Sequence, residues 1–329
     1  MVVHFGERDR VDGALASDVL MDAFAGAGVA ASALLRGVEG FGMKHALRTD
    51  RLLTLSEDLP LLAVAVDRPE VIRRLVPAVL EVLDGGLVTL ERIAMPGSEP
   101  PRRSDDEDVK LTLYCGRGAR RGRTAAVPAV LALLRDAGAP GATALPGLDG
   151  TILGTRRRAR FLARNEGVPA LVVSVGPAPL MLSLLPRLRA LSGEHVTTLE
   201  RVQVIRRAGR VVGELPRIPS ADAAGMALWQ RVSVLSGERA RWGREPLYRG
   251  LIRALREARA AGATALRGSL GYSDDTAVHG DRVLALRRDA PILVTLIDHA
   301  ERIARLWPLV ARATATEGLV TCETVPAFQ

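Results

Sequence analysis

The chain has 329 residues, of which 48% are hydrophobic and 3% aromatic, and its net charge is +8. This length suits two or three domains, and the composition predicts a core of Leu, Val, Ala and Ile. No apolar run reaches the roughly 18–20 residues of a membrane-spanning helix, and residues 1–10 lack a signal-peptide pattern. We therefore expect a soluble, cytoplasmic protein.

The charge is distributed unevenly along the chain. Residues 1–95 carry 10 basic and 14 acidic side chains, a net −4. Residues 108–204 carry 14 and 6, a net +8, and residues 228–329 carry 15 and 11, a net +4. Only Lys44 and Lys110 are lysines. Such an arginine bias often reflects genome composition, so it is weak evidence for nucleic-acid binding, but the asymmetry between segments indicates that they differ in function.

In chain order, the same pattern of elements occurs three times. Each copy opens with a short β-like run, "VVHF", "KLTLYC" or "RVSVLS", and continues into an amphipathic helical pattern. The position after this helix is that of a C-terminal cap and is occupied by Gly28, Gly138 and Arg259. A second strand then leads into glycines that recur in all copies: Gly37, Gly40 and Gly42; Gly147 and Gly150; Gly268 and Gly271.

The second half of the pattern also repeats. Dense apolar runs predict central strands, and they open at Pro60, Pro169 and Pro291. A second helical pattern contains an internal proline that either kinks the helix or marks the boundary of a short one. The runs "LVTLERI", "VTTLERV" and "LVTCETV" predict the last strand. Each copy thus has the order β-α-β-loop-β-α-β of a ferredoxin-like unit, in the α+β class.

The predicted units are residues 1–95, 108–204 and 228–329, joined by linkers 96–107 and 205–227. The second linker is expected to contain a small hairpin around Ala208–Gly209. Ring trimers pack three sheets around a closed three-fold axis, and linkage raises the effective concentration of the units. We therefore expect an intramolecular pseudo-trimer in a monomeric chain; three separate domains on a string are the alternative.

Several stretches resemble a known family. They are "GERARWGREPLY" (Gly237–Tyr248), "ATALRG" (Ala263–Gly268), "LRGVEGFG" (Leu35–Gly42) and "LSEDLPLLAVAVD" (Leu55–Asp67). They resemble the bacterial and archaeal PII-like family catalogued as domain of unknown function 190, and unit 2 departs most from it. The resemblance implies a trimeric assembly that binds adenine nucleotides between subunits and regulates transporters or enzymes through a long loop. It also implies an association with fluoride-exporter membrane proteins.

The long loops, residues 38–59, 148–168 and 269–290, carry candidate ligand residues. Arg51, Arg160 and Arg282 each precede the proline by nine residues. An arginine fork at a loop base suits phosphate or carboxylate, although a salt bridge to a neighbouring unit is equally open. The recurring glycines either form an anion-binding nest of backbone N–H groups or are simply turn residues.

The resemblance places a second phosphate loop at Asp84, Gly85 and Gly86. Its counterparts, Ser192–His195 and Thr316–Gly318, like the first copy, lack the basic residue of that loop. Arg92 and Arg201 follow the last strand, where PII-like proteins place phosphate-binding arginines, and Thr324 replaces them in unit 3. The expected effector is ATP, ADP or AMP, with no other cofactor; solvated arginines are the alternative.

A basic run, "RRRARFLAR", lies in the loop of unit 2. Arg156, Arg157 and Arg158 are predicted to dock an acidic or membrane-associated protein partner, such as a transporter. The run contains one aromatic residue, which is unfavourable for single-strand nucleic-acid recognition. A solvated charge run is the alternative.

Catalysis has little support in the sequence. The five histidines do not cluster or recur in the same position, and Cys115 and Cys322 lack metal-ligand spacing, so both are predicted to be buried free thiols. The sequence favours a non-enzymatic PII-like regulatory protein that binds a small anionic ligand at inter-unit clefts. The alternatives are a ligand-free adaptor of a membrane transporter and, less favoured, an enzyme or metal-handling protein built on the same trimer.

Overall fold

The structure is a computed structural model that describes residues 1–42, 48–49, 58–83, 85–95, 107–160, 165–273 and 289–328. Over these residues the chain is mixed α+β, with six helices and 24 strands. Unit 1 contains β1 (Val2–Gly6), β2 (Arg10–Val11), β3 (Ala14–Leu15), α1 (Ala16–Gly26), β4 (Ala31–Phe41), β5 (Arg48–Thr49), β6 (Pro60–Val66), α2 (Pro69–Val82) and β7 (Leu87–Thr89).

Units 2 and 3 repeat this order. Unit 2 and the segment after it contain β8 (Asp108–Gly116), β9 (Arg120–Arg121), β10 (Thr124–Ala125), α3 (Ala126–Asp136), β11 (Gly141–Pro146), β12 (Asp149–Ile152), β13 (Thr155–Arg158), β14 (Pro169–Pro177), α4 (Ala178–Ser192), β15 (His195–Arg201), β16 (Gln203–Arg207) and β17 (Arg210–Val211). Unit 3 contains β18 (Leu228–Gly237), β19 (Arg241–Trp242), β20 (Glu245–Pro246), α5 (Leu247–Glu257), β21 (Gly262–Arg267), β22 (Leu270–Ser273), β23 (Pro291–Asp298), α6 (Ala300–Ala313) and β24 (Leu319–Phe328).

Four antiparallel strands form the sheet of each unit, in the same spatial order. The orders are β7-β1-β6-β4, β15-β8-β14-β11 and β24-β18-β23-β21. Two helices pack on one face of each sheet and share an aliphatic core with it. Cys115 and Cys322 are buried in two of these cores as free thiols, as predicted.

The helix ends follow the sequence closely. Gly28 and Gly138 have φ of 64° and 82°, the left-handed conformation of a C-terminal cap, and Arg259 adopts it at 57° in unit 3. Pro77, Pro186 and Pro308 lie inside helices that continue through them, so the short-helix alternative is wrong. No helix in the described ranges combines the length and the apolar character needed to cross a bilayer.

The units exchange strands in a cyclic order. β4 of unit 1 pairs with β21 of unit 3, β12 of unit 2 pairs with β4, and β22 of unit 3 pairs with β11 of unit 2. Each unit therefore donates a strand to one neighbour and receives one from the other.

These pairings explain why the glycines recur. A Cβ atom at Gly40 or at Gly271 would lie 2.6 Å from the carbonyl oxygen of Ala263 or Ala142, in the strand of another unit. Gly150 faces the carbonyl of Ser32 in the same way. The expectation that these glycines are turn residues is therefore wrong at Gly40, Gly150 and Gly271, which lie in paired strands where two backbones approach closely.

The last strands also cross between units. Ala94 bridges to Leu199, β16 pairs with β24, and β24 pairs with β7. The pairing of β24 with β7, together with those of β4 with β21 and β6, closes a ring of eight strands. In order around the ring they are β4, β21, β23, β18, β24, β7, β1 and β6. The predicted hairpin at Ala208–Gly209 is present between β16 and β17, with φ of 50° and 74° at the two turn residues.

A further core lies between the three sheets, on the faces away from the helices. It includes Leu35, Leu145 and Leu266, one residue from the second strand of each unit. Because the sheets bury one another, the units are not separate domains on a string.

Candidate ligand clefts between the units

A cleft of about 90 Å³ lies at the boundary of units 1 and 3, and we call it cleft A. It is bordered by the end of β1, the start of β6, the Gly85–Gly86 turn and β21. About 10–15 Å³ of such space holds one water molecule, so the described part of cleft A has room for a group the size of a phosphate. Gly42 and Arg48, which flank residues 43–47, also line it.

Arg48 is the cation of cleft A. Its Nη2 atom is 3.1 Å from Oδ2 of Asp58 and 3.8 Å from Oδ1 of Asp9. Its guanidinium lies directly on Gly6, where a Cβ atom would overlap it. The backbone N–H groups of Gly6 and Arg8 donate to Asp9 and Asp58, which fixes both carboxylates. Arg48 is thus held in place at the base of a long loop, as a phosphate-binding arginine would be.

A second cleft, cleft B, lies between units 2 and 3 and measures about 80 Å³. Its cation is Arg207, which is 3.4 Å from Asp108. Asp289 and Glu317 line it as well, so it carries more acidic than basic side chains. Two carboxylates therefore line cleft B beside its arginine, whereas Asp9 is the carboxylate that lines cleft A beside Arg48.

The third boundary, between units 1 and 2, is bridged by the hairpin of β12 and β13. Arg156 forms ion pairs with Asp149, at 2.7 Å, and with Asp22 of α1. Arg158 is 2.9 Å from Asp18, also on α1. Two of the three arginines predicted to dock a partner are therefore paired within the chain, and the docking prediction itself stays a prediction.

The other predicted site residues are dispersed. Arg51, Asp84 and Arg282 lie outside the described residues. The backbone N–H of the exposed Arg160 donates to Asn165, and Arg201 is 3.3 Å from Glu107. The arginine that does reach cleft A, Arg48, was not singled out by the repeat pattern. The sequence does contain a signal for it, because Arg48 and Arg157 each precede the strand-opening proline of their unit by 12 residues. In the structure these arginines are the strand partners of Gly40 and Gly150 respectively.

The predicted glycines divide into two groups. Gly42, Gly85 and Gly86 line cleft A, and Gly271 lines cleft B. By contrast, the N–H groups of Gly147 and Gly268 donate to the carbonyls of Pro169 and Pro291. Gly37 and Gly40 pair with β21, and the N–H of Gly150 donates to Asp149. The second group therefore uses its backbone polar groups within the fold rather than for an anion-binding nest.

Three glutamates that sequence reasoning passed over meet between the units. Glu91, Glu200 and Glu323 occupy the same position in "LERI", "LERV" and "CETV". Lys110 is 2.7 Å from Glu200 and 3.0 Å from Glu323. Arg231 is 2.9 Å from Glu200, 2.6 Å from Glu323, and paired with Glu91. We call these five residues the central charge cluster; the repeated glutamate was the signal for it, but its partners come from other units.

Burial shifts the ionisation of this cluster. Burial raises the pKa of Glu200 to about 7 despite the nearby Lys110. At Glu323 burial acts in the same direction but is outweighed by Arg231 and Lys110, which lower its pKa to about 2. The described residues contain no group of His, Cys, Asp or Glu arranged to hold a metal ion.

Arg92, predicted as a phosphate ligand, is exposed and lines a central cavity rather than a cleft. Arg92 therefore does not lie in cleft A with Arg48. No two of the predicted arginines in the described ranges lie in the same cleft.

A protein-family model matches the chain three times, over residues 1–95, 108–204 and 229–327. Together these matches cover most of the 329 residues, so the protein is built from three tandem copies of one domain. The chain belongs to the family DUF190, described as "Uncharacterized ACR, COG1993", as its sequence motifs predicted.

Proposed function

We propose that this chain is a non-enzymatic, PII-like regulatory protein: an intramolecular pseudo-trimer of ferredoxin-like units that binds a small anionic ligand in cleft A. The strand order of each sheet supports the ferredoxin-like assignment. The cyclic exchange of strands among the three units supports the pseudo-trimer, because closed rings repeat one contact around an axis.

The observation that carries the proposal is the position of Arg48. Among the described residues of this loop, Gly42 and Arg48 line cleft A, and Asp58 pairs with Arg48. The ion pair joins Arg48, within the loop of residues 38–59, to Asp58 near the end of that loop. A phosphate or carboxylate ligand that replaces Asp58 as the partner of the Arg48 guanidinium breaks this ion pair. Ligand binding and loop conformation are therefore linked. Ligand-dependent docking through this loop needs no covalent chemistry.

An adenine nucleotide is the candidate ligand, with a phosphate group at Arg48. Gly85, with φ of 84°, and Gly86 line the same cleft. Backbone N–H groups in such turns are suited to phosphate oxygens. Ion pairs bridge the third boundary, and the Gly85–Gly86 backbone beside Arg48 favours cleft A over cleft B as the principal site.

Calorimetric titration with ATP, ADP, AMP and inorganic phosphate tests the proposal. The comparison is between the wild type, Arg48→Ala, and Arg135→Ala as a control on the exposed surface of α3. Losing a hydrogen-bonded charge costs about 1.5–3 kcal/mol. We therefore expect Arg48→Ala to bind at least about tenfold more weakly than the wild type, and Arg135→Ala to bind as tightly as the wild type. If no nucleotide or phosphate binds at millimolar concentration, or Arg48→Ala binds as the wild type does, the proposal is wrong.

A further inference from the structure

The surroundings of Arg48 in unit 1 differ in charge from their counterparts in unit 2. In unit 1, Arg48 pairs with Asp58 and Asp9. In the same unit, Arg36 is 2.8 Å from Glu7. Three carboxylates of unit 1 thus serve as internal partners for two arginines.

Unit 2 has none of these carboxylates. The glycine that closes the first strand and the proline that opens the central strand align the two units, and they assign a counterpart to each of the five residues. The replacements are Arg117 for Glu7, Ala119 for Asp9, Pro146 for Arg36, Arg157 for Arg48 and Gly167 for Asp58. Unit 2 therefore has two arginines at these positions and no carboxylate to pair with them.

Arg117 and Arg157 are both anchored to the segment that leads into β14. The backbone N–H of Arg117 donates to the carbonyl of Val168, and its Nη2 atom donates to the carbonyl of Gly147 at 2.6 Å. A Cβ atom at Gly167, next to Val168 in the chain, would lie 3.0 Å from Cγ of Arg157. The two arginines are therefore held at adjacent residues, and both are exposed.

Among the described residues, Arg117 and Arg157 have carbonyl partners but no carboxylate partner. Gly147 accepts from Arg117, and the carbonyl of Arg156 accepts from Nη1 of Arg157 at 3.1 Å. Burial lowers the pKa of Arg117, and no carboxylate in the described ranges acts against that shift. Both guanidiniums stay charged at neutral pH, and each has N–H groups left to donate to a ligand.

The charge around these two arginines is positive. Residues 109–135 contain six basic side chains and no acidic one. Asn165 binds both backbone groups of the exposed Arg160 and so holds it near the same segment. The carboxylate of this segment belongs to Glu166, whose side chain lies against Gly118. Arg160 thus brings the exposed arginines here to three, against one glutamate.

We propose that Arg117, Arg157 and Arg160 form a docking site on unit 2 for an acidic segment of a protein partner, whose carboxylates replace the internal partners that unit 1 has. A guanidinium fork binds a carboxylate in a fixed geometry, and the Gly147 carbonyl holds Arg117 in position. Attraction to an anionic lipid surface depends instead on the number of basic groups near it. Because the site is exposed rather than concave, a protein segment fits it better than a small molecule. None of the three arginines lines cleft A, so either site can fail without the other.

Fluorescence anisotropy with labelled hexaglutamate tests the proposal, and hexaglutamine is the uncharged probe. We expect the wild-type protein to bind hexaglutamate, more weakly as the salt concentration rises, and not to bind hexaglutamine. Vesicles of phosphatidylcholine and phosphatidylserine in equal parts test the lipid surface. If hexaglutamate does not bind, or binds no better than hexaglutamine, the proposal is wrong; vesicle binding in that case would assign the surface to a membrane.

Two variants locate the binding on unit 2. Arg117→Glu introduces the residue that units 1 and 3 have there, Glu7 and Glu238, and is expected to fold. Arg305→Glu, on the exposed side of α6, makes the same change of net charge in unit 3. We expect Arg117→Glu to bind hexaglutamate at least about tenfold more weakly than the wild type, and Arg305→Glu to bind within about twofold of it. Equal losses in the two variants would show that only net charge matters and would overturn the proposal.

Arg157→Ala is the second variant at the site, and it keeps the proposal testable if Arg117→Glu does not fold. It removes an exposed side chain, so it is expected to leave stability within about 0.5 kcal/mol of the wild type. We expect it, too, to bind hexaglutamate at least about tenfold more weakly. Binding by Arg157→Ala as tight as that of the wild type would contradict the assignment of the site.

Discussion

Single residues set how closely the units approach. Gly40 faces the carbonyl oxygen of Ala263 across an inter-unit strand pair, and a Cβ atom would lie 2.6 Å from it. Backbone cannot move as a flexible side chain can, so Gly40→Ala must separate the strands or distort them. We expect a loss of about 1–3 kcal/mol in the free energy of unfolding, as for other overpacked sites, measured by urea denaturation.

Gly42 is the matched control for this change. It lies two residues further on, and a Cβ atom there would meet nothing within 4 Å. Gly42→Ala is therefore expected to leave stability within about 0.5 kcal/mol of the wild type. Equal effects of the two substitutions would show that the close approach to Ala263 is not what requires glycine.

Glu200 is expected to make stability depend on pH. Its folded pKa, about 7, lies above the ordinary value of 4.5, so its contribution is complete below the ordinary pKa and is lost as pH rises to about 7. The groups that face it are Lys110 on the same sheet, Arg231 and Glu323 of unit 3, Tyr114 and the Met1 amino group. Each unit of pKa shift corresponds to about 1.4 kcal/mol.

The measurement is urea denaturation of the wild type and Glu200→Gln across this range of pH. The variant cannot ionise at this position, so its stability relative to the wild type should increase as pH rises to about 7 and then level off. Glu107→Gln, on the exposed pair with Arg201, should show no such trend. A constant difference between Glu200→Gln and the wild type at every pH would contradict the raised pKa.

Among the elements, the hairpin of β12 and β13 is attached to unit 1 through Arg156. Asp149, its partner in the hairpin, is 2% exposed. Arg156→Ala leaves that buried carboxylate without its cation, a change that costs about 3–5 kcal/mol in comparable cases. We expect a loss of that order in denaturation experiments, and we expect Asp149→Asn in the same chain to restore part of it.

Arg158→Ala is the control on the same strand. Its pair with Asp18 is half exposed, and exposed pairs contribute about 0–1 kcal/mol. If the two arginines prove equally important, burial of Asp149 is not the cause, and the hairpin is held mainly by its backbone pairing with β4.

The elements show what local sequence could and could not predict. The capping positions at Gly28 and Arg259, the hairpin at Ala208–Gly209 and the proline-opened strands follow from conformational preferences of a few neighbouring residues. The sequence suggests an anion-binding nest or a turn at Gly40, and neither alternative includes its strand partner, because Ala263 is more than two hundred residues away. Glu91 was passed over for the same reason: its cation, Arg231, belongs to another unit, and no local pattern shows that pairing.

At the scale of the whole molecule, two cyclic sets of contacts act together. One consists of the exchanged strands β4, β12 and β22, and the other of the terminal strands that close the ring of eight. Every unit therefore contacts both others through backbone hydrogen bonds. The central charge cluster draws its residues from all three units, so the cluster assembles only when the three units pack together.

This interlocking predicts that the chain survives a break between units. A protease site placed within residues 96–106 would, when cut, separate unit 1 from the rest of the chain covalently. Because unit 1 still pairs with units 2 and 3 through β4, β7 and Ala94, the two fragments should elute together in size-exclusion chromatography and separate only in denaturant. The uncut protein is the control for elution volume. Fragments that part in native buffer would show that the linker, rather than the exchanged strands, holds the units together.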